Sequence, residues 1–418
     1  MQRAILVIAL TIKYLLLIGA QPSCEYTGEK KQRDVICTAD KSDYVLTRGL
    51  VSDNNKTTRV TLRNCKIIDV EFEAFYQMPA LEYLDLSQNQ IKNLKLGVLD
   101  GFNRLKFLNL SYNELEGFPL GLFDQKPNLE VLDLKGNSIV TLELGVFDKM
   151  KKLKHIDLSN NALLGREMNP NIFNQSTHIH IIDFSRNDMS DSKDNLLEVF
   201  IELDFLNLDR CQLNEVPIFA TKPNLKTMKH LMLSTNNIRV INDSKIFMNL
   251  ENLEILNLSY NVIESIAADV FTPLKKLKMI KLMNNRLTQI PDTLFRNIPN
   301  LNNVDLSHNL IEFVPVNAFR SSPIKHLNLA DNRFSYLTDN FCLELKNSGG
   351  VLAKFYFNQN PWQCACLRDI LNEVKNFGIV YNDVKYTGDE PVCVTKPNGF
   401  NCMRQMNENN YFIDLYYN

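Results

Sequence analysis

The stretch Leu81-Glu-Tyr-Leu84-Asp-Leu86-Ser-Gln-Asn89-Gln-Ile91 sets a frame that recurs along most of the 418-residue chain. A weaker first copy is Val60-Thr-Leu62-Arg-Asn-Cys65-Lys-Ile67. Later copies begin at regularly spaced apolar residues, namely Leu105, Leu129, Leu153, Ile179, Leu203, Met228, Leu253, Leu277, Leu301 and Ile324. The asparagine position of the frame recurs at steps of 23 to 26 residues. This periodicity predicts a solenoid in which each repeat buries its apolar face against its neighbours.

Each conserved position of the frame has a physical reason. In a Leu-x-Leu strand both leucines point inward and the residue between them points outward, so each repeat is predicted to add one short strand to a parallel sheet. The asparagine turns inward, where its amide can bond backbone groups that water does not reach. Ten residues later comes a second apolar residue, for example Phe123 or Phe147, which is predicted to stack into a ridge on the opposite side.

These residues closely resemble the extracellular leucine-rich-repeat family over about residues 58 to 402. The resemblance implies an α/β repeat solenoid of horseshoe shape, with a concave parallel sheet, an irregular or short-helical convex side and disulfide-bonded caps. The segment Asn360-Pro-Trp-Gln-Cys364-Ala-Cys366, followed by Cys393 and Cys402, is similar to the C-terminal cap of that family. The cap implies the pairs Cys364–Cys393 and Cys366–Cys402. A zinc site made by these four thiolates is the alternative, although oxidising compartments favour disulfides.

The chain is expected to divide into five segments. Residues 1–20 carry Arg3, a largely apolar stretch and a Gly-Ala exit, which is typical of a secretory signal peptide. A retained signal anchor is the alternative, but Lys13 interrupts the short apolar run. An N-terminal cap (21–57), the repeat array (58–359), the C-terminal cap (360–402) and a short tail (403–418) follow. The mature protein is therefore expected to be secreted and extracellular.

Five of the nine cysteines lie outside the C-terminal cap. Cys24 and Cys37 precede the first repeat and are expected to pair, although the N-terminal cap of the family usually has more cysteines. Cys65 and Cys211 occupy asparagine positions, and Cys342 occupies a ridge position, so all three are expected to be buried free thiols. A bond from Cys342 to a partner chain is the alternative, which leaves a disulfide-linked or non-covalent dimer open.

Composition and motifs indicate a binding protein. The net charge of −2 does not favour nucleic acid, and no second apolar run is long enough for a membrane span. The sequence has no His-Glu-x-x-His, Gly-x-Ser-x-Gly, Cys-x-x-Cys or glycine-rich phosphate loop. We therefore expect no catalytic residue, no metal and no cofactor. His155, His230 and His326 share one outward position at least three repeats apart and cannot jointly bind a metal; polar sheet residues are favoured over a pH sensor.

Five Asn-x-Ser/Thr sequons predict glycosylation, at Asn55, Asn109, Asn174, Asn242 and Asn257. Asn55 precedes the repeats, and Asn174 and Asn242 lie on return segments, which are ordinary positions for a glycan. Asn109 and Asn257 each stand between the two leucines of a strand. There the motif arises from the repeat itself, so that both an occupied and an empty site remain open.

One outward column of the sheet is unusually apolar. It comprises Tyr83, Phe107, Val131, His155, Ile181, Phe205, His230, Ile255 and Met279. An exposed apolar stripe with charged residues beside it is typical of a binding surface, although neighbouring side chains and glycans could instead cover it. We expect Ile181, Arg186, Phe205 and Arg210 to form the core of the contact, with His155 and His230 next to them.

The predicted function is extracellular recognition of a protein or glycoconjugate through the repeat surface. The sequence is similar to insect leucine-rich immune proteins and to Toll-like ectodomains, which implies a role in innate immune defence. An extracellular-matrix, adhesion or guidance protein and an enzyme inhibitor are the alternatives, because the fold alone does not decide among these roles.

Overall fold

The structure is a computed structural model that describes residues 22–27, 34–39, 43–48, 55–386, 392–396 and 400–417. The predicted signal peptide, residues 1–20, lies outside the described residues. The chain forms two compact units, Met1–Leu203 and Asp204–Asn418, each of which is described by itself.

The described residues of the first unit form ten short strands. They are β1 (Ser23–Thr27), β2 (Asp34–Thr38), β3 (Tyr44–Leu46), β4 (Arg59–Thr61), β5 (Ile67–Val70), β6 (Tyr83–Asp85), β7 (Phe107–Asn109), β8 (Val131–Asp133), β9 (His155–Asp157) and β10 (Ile181–Asp183). Strands β4 and β6 to β10 pair in parallel in chain order, so each repeat adds one strand to the sheet. A single turn of 3₁₀ helix covers Gly165–Glu167.

The N-terminal cap covers the first edge of this sheet. Strands β1 and β2 form an antiparallel pair in which Cys24 stands opposite Cys37, and the two residues are joined by a disulfide, as the sequence predicts. Strand β2 then pairs in parallel with β4, while β3 and β5 form a small separate sheet. The cap therefore supplies backbone partners that the first repeat would otherwise lack.

The second unit repeats the same architecture. Its strands are β11 (Phe205–Asn207), β12 (His230–Met232), β13 (Val240–Ile241), β14 (Ile255–Asn257), β15 (Ser265–Ile266), β16 (Met279–Lys281), β17 (Asn303–Asp305), β18 (His326–Asn328) and β19 (Lys354–Tyr356). Strands β11, β12, β14 and β16 to β19 form a parallel sheet, and β13 pairs with β15. The α-helices are α1 (Phe341–Asn347), α2 (Cys364–Asn376) and α3 (Asn409–Tyr417). Five 3₁₀ segments are Ile218–Ala220, Pro223–Leu225, Val316–Phe319, Asp383–Tyr386 and Met406–Glu408.

Stacking of the buried positions builds the core of each unit. The middle residue of every repeat strand is buried, as Leu108 in the first unit and Leu256 in the second illustrate. The phenylalanine ridge also forms: ring centroids are 5.4 Å apart for Phe147 and Phe173, and 6.1 Å apart for Phe271 and Phe295. The parallel β-solenoid predicted from the sequence is thereby confirmed.

The asparagine of each repeat bonds two turns of the chain at once. The Nδ2 of Asn137 donates to the carbonyl oxygens of Leu134 at 2.9 Å and of Leu110, one repeat earlier, at 3.0 Å. Its Oδ1 accepts a bond from the amide of Leu115 at 3.1 Å. The same pattern reaches Asn360, where the thirteenth repeat meets the cap. The side chain thus satisfies backbone groups that stacking removes from water.

The C-terminal cap is held by the disulfides Cys364–Cys393 and Cys366–Cys402, the two pairs that the family resemblance implies. Trp362 is fully buried, and its Nε1 donates to the carbonyl oxygen of Phe357 at 2.8 Å. The segment predicted as a short tail contains α3, whose buried Asn409 bonds the Ser335 hydroxyl. The tail is thus folded onto the last repeats.

The three remaining cysteines carry buried thiols outside the three disulfides. The Sγ of Cys65 donates to the carbonyl oxygen of Cys37, and burial raises the pKa of its thiol to about 11. Burial beside Glu373 also raises the pKa of Cys342, which is 3% exposed. The alternative in which Cys342 bonds a partner chain is not supported, since its sulfur does not reach the surface.

Candidate binding surface

Each repeat strand buries its second residue and has its first and third residues on the outward side, where most are partly exposed but Asp85 and Asn257 are buried. We call these outward residues the strand face of each unit. In the first unit, Tyr83, Phe107, Val131, His155 and Ile181 stand side by side at the first position. All five are half-buried. The fold requires only the middle residue to be apolar, so the apolar character of this column is not explained by the core.

An aromatic stack lies at one end of the column. The rings of Tyr83 and Phe107 are parallel within 6°, with centroids 4.4 Å apart, and the guanidinium of Arg59 lies 4.0 Å from the centre of the Tyr83 ring. Both ring contacts fix side chains that are still partly exposed. Such a rigid aromatic group with an arginine resembles the composition of protein-interface hot spots.

A row of carboxylates runs parallel to the apolar column at the third strand position. Its members are Asp85, Asp133, Asp157 and Asp183, interrupted by Asn109. Burial raises the pKa of Asp133 to about 6, with the charge of Asp157 adding to the effect and the bond from the Lys135 amide opposing it. Asp133 therefore holds its negative charge at pH 7 at a cost to the fold, which a cationic partner would reduce.

His155 belongs to the apolar column and lies beside the carboxylate row. Burial lowers its pKa, against the opposing effect of Asp157 and Asp183, so the imidazole is neutral at pH 7. The predicted preference for a polar sheet residue over a pH sensor fits this environment.

The strand face of the second unit carries fewer charges. Phe205 and His230 are neighbours in register, and their rings meet edge to face at 5.9 Å. Ile255 and Met279 continue the column. At the third position stand Asn207, Met232, Asn257 and Lys281, in place of the acidic row.

The predicted contact residues divide between the units. Ile181, Arg186 and His155 belong to the first unit, and Phe205, Arg210 and His230 to the second. Within the first unit Ile181 is the register neighbour of His155. Arg186 and Arg210 are exposed and each adopts a positive φ, 60° and 58°, at the turn that follows its strand. Each arginine thus projects from the end of a strand face.

The edge of each strand face is lined by ion pairs between neighbouring repeats. In the first unit Lys106 reaches Glu82 and Lys154 reaches Glu130, both at 2.9 Å. In the second unit Lys278 pairs with Glu254 at 2.6 Å. These pairs are largely exposed and give each apolar column a polar rim, as in protein interfaces.

The five sequons differ in exposure. Asn55, Asn174 and Asn242 are exposed, and Asn109 is half-buried. Asn257 is only 8% exposed, and its Oδ1 accepts bonds from the amide and the hydroxyl of Ser259. The expectation that Asn257 projects from the sheet is wrong, because the side chain folds back into this turn.

A second surface, which was not predicted from the sequence, lies on the return segments of the first unit. Phe72, Leu96, Leu120 and Leu144, which we call the apolar ladder, are 61%, 58%, 59% and 52% exposed. Their spacing of 24 residues and the recurring Leu-Gly-x-Phe/Leu-Asp motif were visible in the sequence.

In the part of the chain that the structure describes, no group of three or more histidine, cysteine, aspartate or glutamate side chains is arranged to hold a metal ion. None of the helices within the described ranges is long and apolar enough to cross a membrane.

Comparison with known proteins assigns the class. A family model described as leucine rich repeat matches residues 55–115, 110–163, 223–287 and 275–334, more than half of the chain. The chain therefore belongs to the leucine-rich-repeat family. No curated protein matches the sequence.

Solved structures share the fold at low sequence identity. A leucine-rich-repeat protein of Leptospira interrogans is 19% identical with a TM-score of 0.62, covering 78% of this chain and 90% of that one. A chain of the LRIM1/APL1C complex is 18% identical with a TM-score of 0.61, and the match covers 95% of this chain and 74% of that one. A chain of the glycosylated Toll–Spatzle complex of Drosophila is 21% identical with a TM-score of 0.61, and the match covers 89% of this chain and 57% of that one. At these identities the likeness shows the fold alone.

Proposed function

We propose that this chain is a secreted recognition protein that binds a protein partner through its strand faces and acts in innate immune defence. The observation that carries the proposal is the column of half-exposed aromatic and apolar side chains on the strands, which the core does not require. Its clearest parts are the Tyr83–Phe107 stack under Arg59 and the Phe205–His230 pair.

Three further observations support the proposal. Disulfides close both caps, and such bonds persist in oxidising, extracellular compartments. A leucine-rich-repeat solenoid is generally a scaffold for protein interaction. Two structures with this fold are complexes: LRIM1/APL1C, and Toll with Spatzle, the latter described as a hub in Drosophila development and innate immunity.

The proposed contact residues are Ile181 and Arg186 in the first unit, with His155 beside them, and Phe205 and Arg210 in the second, with His230 beside them. Phe205 is half-buried at an outward position, so truncating it should weaken binding without removing core packing. A contact of this kind is worth about 1–2 kcal/mol or more, which is about tenfold or more in affinity.

The test begins with affinity capture of the secreted protein's partner from body fluid, followed by measurement of Kd. Phe205→Ala, Arg210→Ala and the double variant Tyr83→Ala/Phe107→Ala are compared with Lys275→Ala, which lies on a return segment. We expect about tenfold weaker binding in the strand-face variants and unchanged melting temperatures. Wild-type affinity in all three would contradict the strand-face proposal, and capture of a glycan-dependent ligand would replace the protein partner by a glycoconjugate.

Secretion and the immune role have separate tests. The N-terminal sequence of the protein in culture medium should begin near residue 21, whereas a membrane-bound product that starts at Met1 would contradict secretion. Transcript levels should rise after microbial challenge. Expression confined to developing tissue and unchanged by challenge would favour a matrix, adhesion or guidance role.

A further inference from the structure

The apolar ladder of the first unit remains exposed although the fold gives it a local contact. Three of its side chains lie over a glycine of the next repeat: a Cβ on Gly97 would stand 2.5 Å from the Phe72 ring, one on Gly121 would stand 3.4 Å from Leu96 Cδ1, and one on Gly145 would stand 3.6 Å from Leu120 Cδ1. These glycines have φ values of +86° and +92°, which other residues rarely adopt. The contact covers one side of Phe72, Leu96 and Leu120, and more than half of the surface of every ladder residue remains in water.

A second row accompanies the ladder. Asp100, Asp124 and Asp148 follow the glycines at the same 24-residue spacing, and a carboxylate oxygen of Asp148 would lie 3.5 Å from a Cβ on Gly145. Within the described residues none of these three carboxylates forms an ion pair of the kind that Asp69, Glu82 and Glu130 form, although the charge of Asp100 acts on the buried Lys126. The return segments therefore present a row of apolar groups and a row of negative charges, with the glycines between them in sequence.

The spacing of the rows matches one kind of partner. Neighbouring repeats stack closely on the return side of this unit: the ring centroids of the ridge residues Phe147 and Phe173 are 5.4 Å apart, which gives the spacing between repeats there. An α-helix rises by about 5.4 Å per turn. A helix aligned with the repeat array would therefore place one side chain per turn against each ladder residue, and a neighbouring column of side chains against each carboxylate.

We infer that the apolar ladder docks an amphipathic α-helix of a partner protein, with one apolar residue per turn and lysine or arginine along one edge of that stripe. Four ladder residues span about 16 Å, which corresponds to about 11 residues of helix. Beside Phe72 the strip opens into a cleft of about 780 Å³ lined by Tyr76, Met78 and Phe102, among others, which can receive a bulky residue at one end of the helix. This surface does not depend on the strand-face proposal.

The second unit offers an internal control. At the position that Leu96 and Leu120 occupy in the frame, it has Ile218, Asp243, Ala268, Asp292 and Val316. Of these Ile218 is the most similar, at 44% exposed, but no equivalent residue of the next two repeats extends it into a ladder. A partner helix should therefore distinguish the two units.

The test uses the full chain and a synthetic helical peptide of about 15 residues with leucine once per turn and lysine along one edge. A second peptide carries glutamate in place of lysine. We expect the lysine peptide to bind the wild-type protein, and Leu96→Asn/Leu120→Asn to weaken this binding by about tenfold or more. Asp124→Asn/Asp148→Asn should weaken it less and should reduce its salt dependence. Ile218→Asn is the matched control and should bind as wild type.

Three outcomes would overturn the inference: no binding of the lysine peptide, equal binding of the two peptides, or wild-type binding by the Leu96→Asn/Leu120→Asn variant. Circular dichroism and melting temperature of each variant verify folding, and the side chains of Leu96 and Leu120 are more than half exposed, so the fold should survive their replacement. Because Asn55 lines the cleft, the measurement is repeated on Asn55→Gln. Binding by neither Asn55→Gln nor the wild type would exclude a masking glycan as the reason for failure.

Discussion

The two units are built from one repeat, but they differ at the positions that face water. In the first four repeats of the first unit, the position seven residues after the frame's asparagine holds Phe72, Leu96, Leu120 and Leu144, whereas Asp243, Ala268 and Asp292 occupy it in the second unit. The third strand position is acidic in the first unit and neutral or basic in most of the second. The buried middle residues of the strands and the phenylalanine ridge are apolar in both units. Stacking constrains only the inward residues. The outward residues can therefore differ between the two units, and with them the partner that each unit recognises.

Breaking a cap bond should produce the largest effect and should separate the units. Cys364→Ser and Cys393→Ser each remove a disulfide of the second unit, at a cost of roughly 2–5 kcal/mol. Hydrogen exchange should show lost protection in the repeats next to the cap and little change in the first unit, because stability in a repeat array depends on neighbours. Secretion should also fall.

A matched control is Cys342→Ala, which removes a buried thiol from the same region without breaking a disulfide. It should destabilise the protein less than either disulfide variant. Equal protection loss in both units after Cys364→Ser would contradict the separate behaviour of the units, and wild-type secretion and melting would contradict a structural role of the bond.

The asparagine position of the first unit gives the next effect. Asn137→Ala deletes bonds to Leu110, Leu134 and Leu115, and should cost about 1–3 kcal/mol in chemical denaturation. Asn137→Cys should be milder, because Cys65 fills this position and its sulfur donates to two carbonyl oxygens. If the two substitutions destabilise equally, the argument that a thiol is an adequate substitute fails.

The sequence also predicted the structural roles of the inward residues better than those of the outward ones. Strands, asparagine bonds and the phenylalanine ridge follow from one period, because stacking admits few residue types at each buried position. The cap pairs are instead implied by the resemblance of the cap sequence to the family. The period could not predict how deeply an outward side chain lies. Asn257 was expected to project, but it bonds Ser259 and is buried. The helix α3 was missed because a stretch of nine residues outside the repeat carries no periodic signal.

Lys126 illustrates the same limit within the core and leads to a third prediction. It takes the position that Phe102 and Met150 occupy in adjacent repeats, is fully buried, and donates to the Gln125 carbonyl oxygen at 3.2 Å. In the second unit Leu274 occupies this position. Burial lowers the pKa of Lys126 to about 8, although the charge of Asp100 opposes the effect.

Lys126→Met should therefore stabilise the first unit by about 1–2 kcal/mol at pH 7. The unfolded lysine holds its proton up to about pH 10.5, so wild-type stability should rise as the pH increases from about 8 to 10.5. The variant should lack this rise, so its advantage should shrink over the same interval. Urea denaturation at a series of pH values measures both effects, and a destabilised variant would contradict the assigned burial of the ammonium group.

The smallest expected effect concerns the acidic row. Asp133 has a pKa raised to about 6 by burial, above its value of 3.8 in the unfolded chain. The folded state therefore binds the extra proton between these values, and its stability falls as the pH rises through them. Asp133→Asn should raise the stability of the protein by about 1 kcal/mol at pH 7, and this gain should vanish below about pH 4. Asparagine keeps the turn, since Asn109 accepts the bond from Ser111 at the same position where Asp133 accepts one from Lys135.

Asp305→Asn in the second unit is the control. Its register neighbour is Lys281, so removing the charge should give no gain or a small loss. If the two variants behaved alike, the difference in charge between the strand faces would have no energetic meaning. If only Asp133→Asn is stabilising, the acidic row of the first unit is maintained against stability, as expected for a surface that meets a cationic partner.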